Sequence, residues 1–324
     1  MEDRKLWAFF LALSNHMWSD EYSVSGQWYR NEVSVGDDAP YMPENHTDLT
    51  VWDDTVKALA ERRFNAVVID VGDGLRYDRH PEISAPDAWD KDFLKKKLAE
   101  LRAFGIEPIP KLNFSTCHDT WLKEYRRMIS TPKYYEVCRD LIDEVCEVFS
   151  QPRYFHLGLD EETMADQGGY EMAIIRGASL WWHDAYFLFD ECARHGARPW
   201  IWADYFWAHP TQFTEKMPHS TLVSNWFYQD FMDHPQGSFF QKSIAAYEQL
   251  DQAGFDQVPT SSTWIRANNS QQTMAHARHV LTDSRLKGFL TVPWRRTQPN
   301  YRYILLNDAE QFYLGRKLFY PESF

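Results

Sequence analysis

Tyr154-Phe155-His156-Leu157-Gly158-Leu159-Asp160-Glu161-Glu162 begins as an apolar strand and ends in three consecutive carboxylates. A chain that does this leaves a core and arrives at a wet rim. Carboxylates crowded at one strand end repel each other, which raises at least one pKa. An acid that keeps its proton near neutral pH is what general acid catalysis needs. The same residues also suit a solvated acidic turn ahead of a helix.

On both sides of this stretch, apolar strand-like segments alternate with helical ones. Upstream, 6–18, 65–71 and 106–114 read as strands one to three. The helices between them cover about 49–63, 91–103 and 133–149. Downstream, a helix over about 170–194 leads to strands 198–204, 222–226, 258–264 and 288–294. Helices over about 210–215, 239–253, 271–284 and 307–318 complete the alternation. Eight β-α units predict an α/β chain folded as a single (β/α)₈ TIM barrel over 1–324. No Gly-rich phosphate loop follows any strand, which counts against a doubly wound sheet. The polar stretch from the end of strand one to about Asn45 is long for a structureless connection and points to function.

Composition narrows the partners. The net charge is −13 and no basic run interrupts it, so nucleic acid is a poor ligand. The apolar run 6–13 is too short to span a bilayer, and no membrane partner is expected. Its flanks lack the basic n-region and small-residue cleavage site of a signal peptide. Cys117, Cys138, Cys146 and Cys192 form no CxxC pair and show no metal-ligand spacing. They read as buried thiols, which suits a reducing compartment, and a cytoplasmic location is the expectation. No cofactor and no metal are expected. The 14 Trp residues exceed the needs of a core, and aromatic platforms stack on the C–H faces of sugars.

A barrel of this kind carries its site at the C-terminal ends of the strands. Those ends hold Asn15, His16 and Trp18, then Asp70 and Asp73, then Asn113 and His118. Asp160, Glu161 and Glu162 follow, then Asp204, Trp226, Tyr228, Trp264, Arg266, Trp294, Arg295 and Arg296. Trp202, Trp226, Trp264 and Trp294 end four successive strands and can wall a small pocket, or point outward against helices, because strand side chains alternate.

His156-x-Gly158-x-Asp160-Glu161 resembles the His-x-Gly-Gly-Asp-Glu signature of glycoside hydrolase family 20, the β-N-acetylhexosaminidases. Gly105–Pro110, Trp200–Asp204 and Gly288–Trp294 are similar to that family's third, fifth and eighth strand segments. The resemblance implies a carbohydrate substrate and a retaining, substrate-assisted glycosidase acting on terminal N-acetylhexosamine-type sugars. It implies Glu161 as general acid/base and Asp160 as the group that orients the acetamido N–H. It implies Tyr228 on the acetamido oxygen, with Trp202, Trp226, Trp264 and Trp294 boxing the sugar. His118, His156, Glu162, Asp204, Arg266 and Arg296 complete the expected substrate-binding set.

The chain departs from the pattern in several places. Leu159 replaces the second Gly, Glu162 is an extra acid, and His118 is one residue out of register. Arg295-Arg296 follow Trp294 where the family has a Glu, and the family's strand-one Arg and small N-terminal domain have no counterpart. Arg266, Arg295 or Arg296 could instead match an anionic sugar bidentately. Strand seven carries no carboxylate nucleophile of the kind many retaining barrels use, although Asp204 could serve as one. A metal-dependent barrel hydrolase or isomerase using Asp70, Asp160, Glu162, His118 or His156, and a binding barrel without catalysis, remain open alternatives.

Overall fold

The computed structural model describes residues 4–14, 44–167 and 172–324. Eight parallel strands alternate with helices. The strands are β1 (Leu6–Ala12), β2 (Ala66–Asp70), β3 (Glu107–Lys111), β4 (Tyr154–His156), β5 (Arg198–Trp202), β6 (Leu222–Ser224), β7 (Thr260–Ser261) and β8 (Gly288–Thr291). They pair in the order β6-β5-β4-β3-β2-β1-β8-β7. Single parallel bridges Val223↔Gln257 and Trp226↔Thr260 join the two outer strands. The sheet thus curls into the (β/α)₈ barrel that the alternation predicts.

The strands are apolar on both faces because both faces are covered. In β1, Leu6, Ala8, Phe10 and Ala12 point into the barrel, where they meet Val68, Ile109, Trp200, Trp202 and Leu290. Trp7, Phe9 and Leu11 point outward into the layer beneath the helices. Fully burying one such side chain contributes about 1.5–3 kcal/mol.

The helices are α1 (Leu49–Glu61), α2 (Lys91–Ala103), α3 (Pro132–Val148), α4 (Ala178–Arg194), α5 (Asp204–Ala208), α6 (Pro210–Lys216), α7 (Phe239–Gln252), α8 (Asn269–Val280) and α9 (Arg302–Phe319). Their starts are written in the sequence. Asp48 accepts from the Val51 N–H, Asp90 from Phe93, and Thr131 from Tyr134 with Pro132 at the first helical position. Each cap satisfies a backbone donor that the first turn leaves open.

Two expectations need correction. The ladders stop earlier than the apolar runs suggest: β4 ends at His156, β5 at Trp202 and β8 at Thr291. Beyond those points the polar side chains belong to loops at the barrel mouth. The helix expected from residue 170 starts at Ala178. Before it, Gln167 accepts the Ile174 N–H at 2.7 Å, and Arg176 is held by Glu162 and Asp184, so 172–177 is fixed in an extended path by side chains. The expected tail of strand one, with Asn15, His16 and Trp18, lies outside the described residues.

Candidate active site

Gly158 makes the turn that presents the acids. Its φ is +73°, and Leu159 and Glu161 follow at +65° and +53°. Gly tolerates the left-handed region at no steric cost. A Cβ at 158 would stand 1.8 Å from the Asn113 Oδ1, so close packing against β3 also demands Gly there. The Gly158 N–H is accepted by His156 Nδ1 at 3.1 Å. This run of left-handed residues swings Asp160 inward and Glu161 toward solvent.

Asp160 is buried and receives three interactions. Asn113 Nδ2 donates to Oδ1 at 3.0 Å, His118 Nε2 lies 3.4 Å from Oδ2, and Ser115 Oγ donates to the backbone carbonyl. Burial pushes the Asp160 carboxyl up, but His118, Lys111 and the Asn113 hydrogen bond outweigh it and hold the group at about 2. Asp160 is therefore ionised at any physiological pH. Lys111 acts through its positive charge while itself paired with the buried Asp70 at 2.9 Å.

Glu161 is the exposed member, with 37% of its side chain open to solvent. His118 Nε2 sits 3.0 Å from its Oε2, so one imidazole spans both acids. Burial lowers the His118 pKa, but Asp160 and then Cys117 more than reverse this, and it rises well above the usual histidine value. The Glu161 backbone N–H donates to Asp204 Oδ2 at 2.7 Å, which holds its left-handed conformation. Trp226 Nε1 donates to the other Asp204 oxygen at 3.4 Å. Burial and the nearby Asp160 push Asp204 well above the ordinary carboxylate range.

An aromatic wall faces these acids. Trp202 lies between His156 and Trp294, with ring centroids 4.5 and 5.9 Å away. Trp294 also packs on Phe10 at 5.2 Å. Trp226 stacks on Tyr228 at 5.1 Å and meets Trp207 edge-on at 4.7 Å. Burial raises the Tyr228 hydroxyl well above its usual pKa, so it is a neutral donor. Trp264 stands under the Arg295 guanidinium at 4.8 Å.

The structure brings Asp160, Glu161, His118, Asp204, Trp202, Trp226, Tyr228 and Trp294 together, and gives other sequence-derived candidates different surroundings. His156 is fully buried and holds the Gly158 turn. Burial and Lys111 keep its pKa well below the usual value. Glu162 turns away from the mouth and pairs with Arg176, which also reaches Asp184 at 3.0 Å. Arg266 is exposed and pairs with Asp230 at 2.8 Å, and Arg296 is buried. The sequence reading listed Asn113 among the strand-end residues without giving it a role, and it did not single out Arg176. The role of Asn113 could have been found from its position at the end of β3, one strand from the acids.

No protein-family model matches the chain, and no curated protein matches it in sequence. Solved structures do match in three dimensions. A β-N-acetylhexosaminidase from Bacteroides fragilis superposes with TM-score 0.62 at 12% identity, over 99% of this chain and 71% of that one. A chitobiase from Flavobacterium johnsoniae gives TM-score 0.59 at 16% identity, over 84% of this chain and 47% of the other. A GH20 exo-β-N-acetylglucosaminidase from Vibrio harveyi, solved with N-acetylglucosamine, gives 0.59 at 13%, over 99% and 57%. The chain thus spans between about half and three quarters of the length of these structures. The chain therefore shares the barrel fold of these GH20 β-N-acetylhexosaminidase structures, at sequence identities of 12–16%.

Proposed function

We infer that the chain is a glycoside hydrolase that removes terminal N-acetylhexosamine residues by a retaining, substrate-assisted reaction. The observation that carries this is the split between two adjacent carboxylates. Asp160 is buried, fixed and ionised, whereas Glu161 is part-exposed to solvent. Neighbouring acids held in different surroundings are how a site separates an acid/base from an electrostatic partner.

In this reading the acetamido oxygen of the sugar attacks the anomeric carbon. The glycosidic bond breaks, its electron pair moves to the leaving oxygen, and Glu161 supplies the proton. Asp160 accepts the acetamido N–H and offsets the positive charge of the oxazolinium that forms. Glu161 then takes a proton from water, which attacks the same carbon and restores the acetamide. His118 keeps both carboxylates oriented, and Trp202, Trp226, Trp294 and Tyr228 enclose the acetyl group and the sugar face.

Asp204 fits this scheme better than the two-carboxylate one. A carboxylate nucleophile must be ionised, and burial beside Asp160 favours the protonated form of Asp204. Its bond to the Glu161 N–H supports a positioning role. An acidic sugar finds less support than a neutral one, because Arg266 is engaged by Asp230 and Arg295 by the Trp264 face.

Hydrolysis of aryl glycosides with and without a 2-acetamido group tests the reading. Turnover confined to the 2-acetamido substrates, with retention of anomeric configuration, is expected. Equal turnover of 2-hydroxy glycosides would require a protein nucleophile and overturn it.

A further inference from the structure

In the hydrolysis derived above the Cys117 thiol touches no reacting atom; it lies beside His118 and reaches the Asp166 carbonyl at 3.9 Å. Cys117 and His118 come from the loop after β3, and Glu161 from the loop after β4. Their ligating atoms all lie within 4.8 Å of one another. Cys117 and His118 are buried and Glu161 is part-exposed, so solvent reaches the cluster at Glu161.

His118 offers a ring nitrogen to a cation once the imidazolium has given up a proton. Its Nε2 faces Asp160 and Glu161, while its Nδ1 is buried and meets no hydrogen-bond partner. The ring itself is 5% exposed. Coordination through one nitrogen with Asp160 on the other would make a carboxylate–histidine–metal arrangement of the kind that fixes ligand tautomer and raises basicity.

A thiolate, an imidazole and a carboxylate form a donor set that suits borderline-soft divalent ions, Zn²⁺ above all. Zinc bonds of ~2.3 Å to sulfur and ~2.0 Å to nitrogen place tetrahedral ligands roughly 3.5 Å apart. The ligating atoms, all within 4.8 Å of one another, are close to that spacing. Three protein ligands leave one position for water or a sugar hydroxyl.

We propose that Cys117, His118 and Glu161 form a binding site for a thiophilic divalent cation, Zn²⁺ being the one that fits, and that occupancy switches hydrolysis off. The inhibitory half rests on the functional reading above. A cation on Glu161 removes the group that protonates the leaving oxygen. Binding displaces the thiol proton and one imidazolium proton of His118 to solvent, so affinity rises with pH.

Cobalt(II) titration of the reduced, chelator-treated protein separates the two halves. The near-ultraviolet thiolate-to-cobalt charge-transfer band is expected to saturate at one equivalent. It is lost in Cys117→Ser and kept in Cys138→Ser, where the thiol lies buried in α3. Zinc is expected to displace the cobalt and to inhibit turnover of an aryl 2-acetamido glycoside. Measured against its own uninhibited turnover, Cys117→Ser should raise the half-inhibiting zinc concentration by about tenfold or more. Absence of a stoichiometric band in the wild-type protein, or a band that Cys117→Ser leaves intact, overturns the site. Cobalt bound at Cys117 without zinc inhibition of an active enzyme overturns the switch. A chain without hydrolytic activity would refute the functional reading and leave the cobalt test standing.

Discussion

Glu161 and Glu162 are neighbours in the chain and opposites in the fold. Glu161 sits at the mouth, part-exposed, with a histidine on its carboxylate and an aspartate on its backbone N–H. Glu162 is buried against Arg176, which is itself buried and extends to Asp184. Asp184 in turn accepts from Ser130 at 2.6 Å and from Tyr135. The first carboxylate can exchange a proton with something that enters the cleft. The second is fully committed to holding 172–177 against the barrel. Only the left-handed turn at 158–161 decides which acid takes which part. Identical side chains therefore acquire different chemistry from the direction in which the backbone presents them.

The largest effect should come from breaking the committed side. Arg176→Ala leaves two buried carboxylates without their cation, and removing one partner of a buried ion pair costs about 3–5 kcal/mol. Chemical denaturation should show that loss, while turnover of the fraction still folded changes little. A loss of turnover as large as that of Glu161→Gln would show that the two regions are not separate.

Next comes the turn itself. Gly158→Ala combines a left-handed penalty of about 1–2 kcal/mol with a Cβ driven into Asn113. Overpacking of this kind costs about 1–3 kcal/mol more. Because Asn113 holds Asp160, kcat should fall together with stability. Unchanged kcat in this variant would mean that the Asn113–Asp160 bond does not set the site.

The smallest effect is electrostatic. Asp160 is held at about 2, below its unfolded value, chiefly by His118 against the cost of burial. A depressed acid contributes stability that is present above about pH 4 and lost as pH falls toward 2. The shift corresponds to on the order of 2–3 kcal/mol. The difference in unfolding free energy between wild type and Asp160→Asn should shrink over that window. A difference that stays flat from pH 5 to 2 would mean that His118 and Asn113 do not stabilise the charge.

The sequence made the barrel legible because each unit carries its own signal. The apolar runs are buried on both faces, and the helix starts are capped by Asp48, Asp90 and Thr131. The acid pair was legible because Gly158 and the two acids are adjacent in the chain. What escaped was everything that depends on direction or on contact between loops. A three-carboxylate run cannot say which member turns inward, so Glu162 read as a site residue and Arg176 went unnoticed. His118 read as a sugar contact, although its ring spans the acids themselves. The meeting of Cys117 and His118 with Glu161 joins residues more than forty positions apart, and no spacing rule along the chain displays it.

The central claim is that Glu161 delivers the proton to the leaving group, and leaving-group dependence tests it most directly. Turnover by wild type and Glu161→Gln would be compared on two 2-acetamido glycosides, one with a dinitrophenol leaving group and one with a simple alcohol. A general acid contributes about 10²–10⁴-fold when the leaving group needs a proton. The account predicts a loss of that size on the alcohol and a far smaller one on dinitrophenol, which departs unprotonated. Equal losses on both substrates would contradict it.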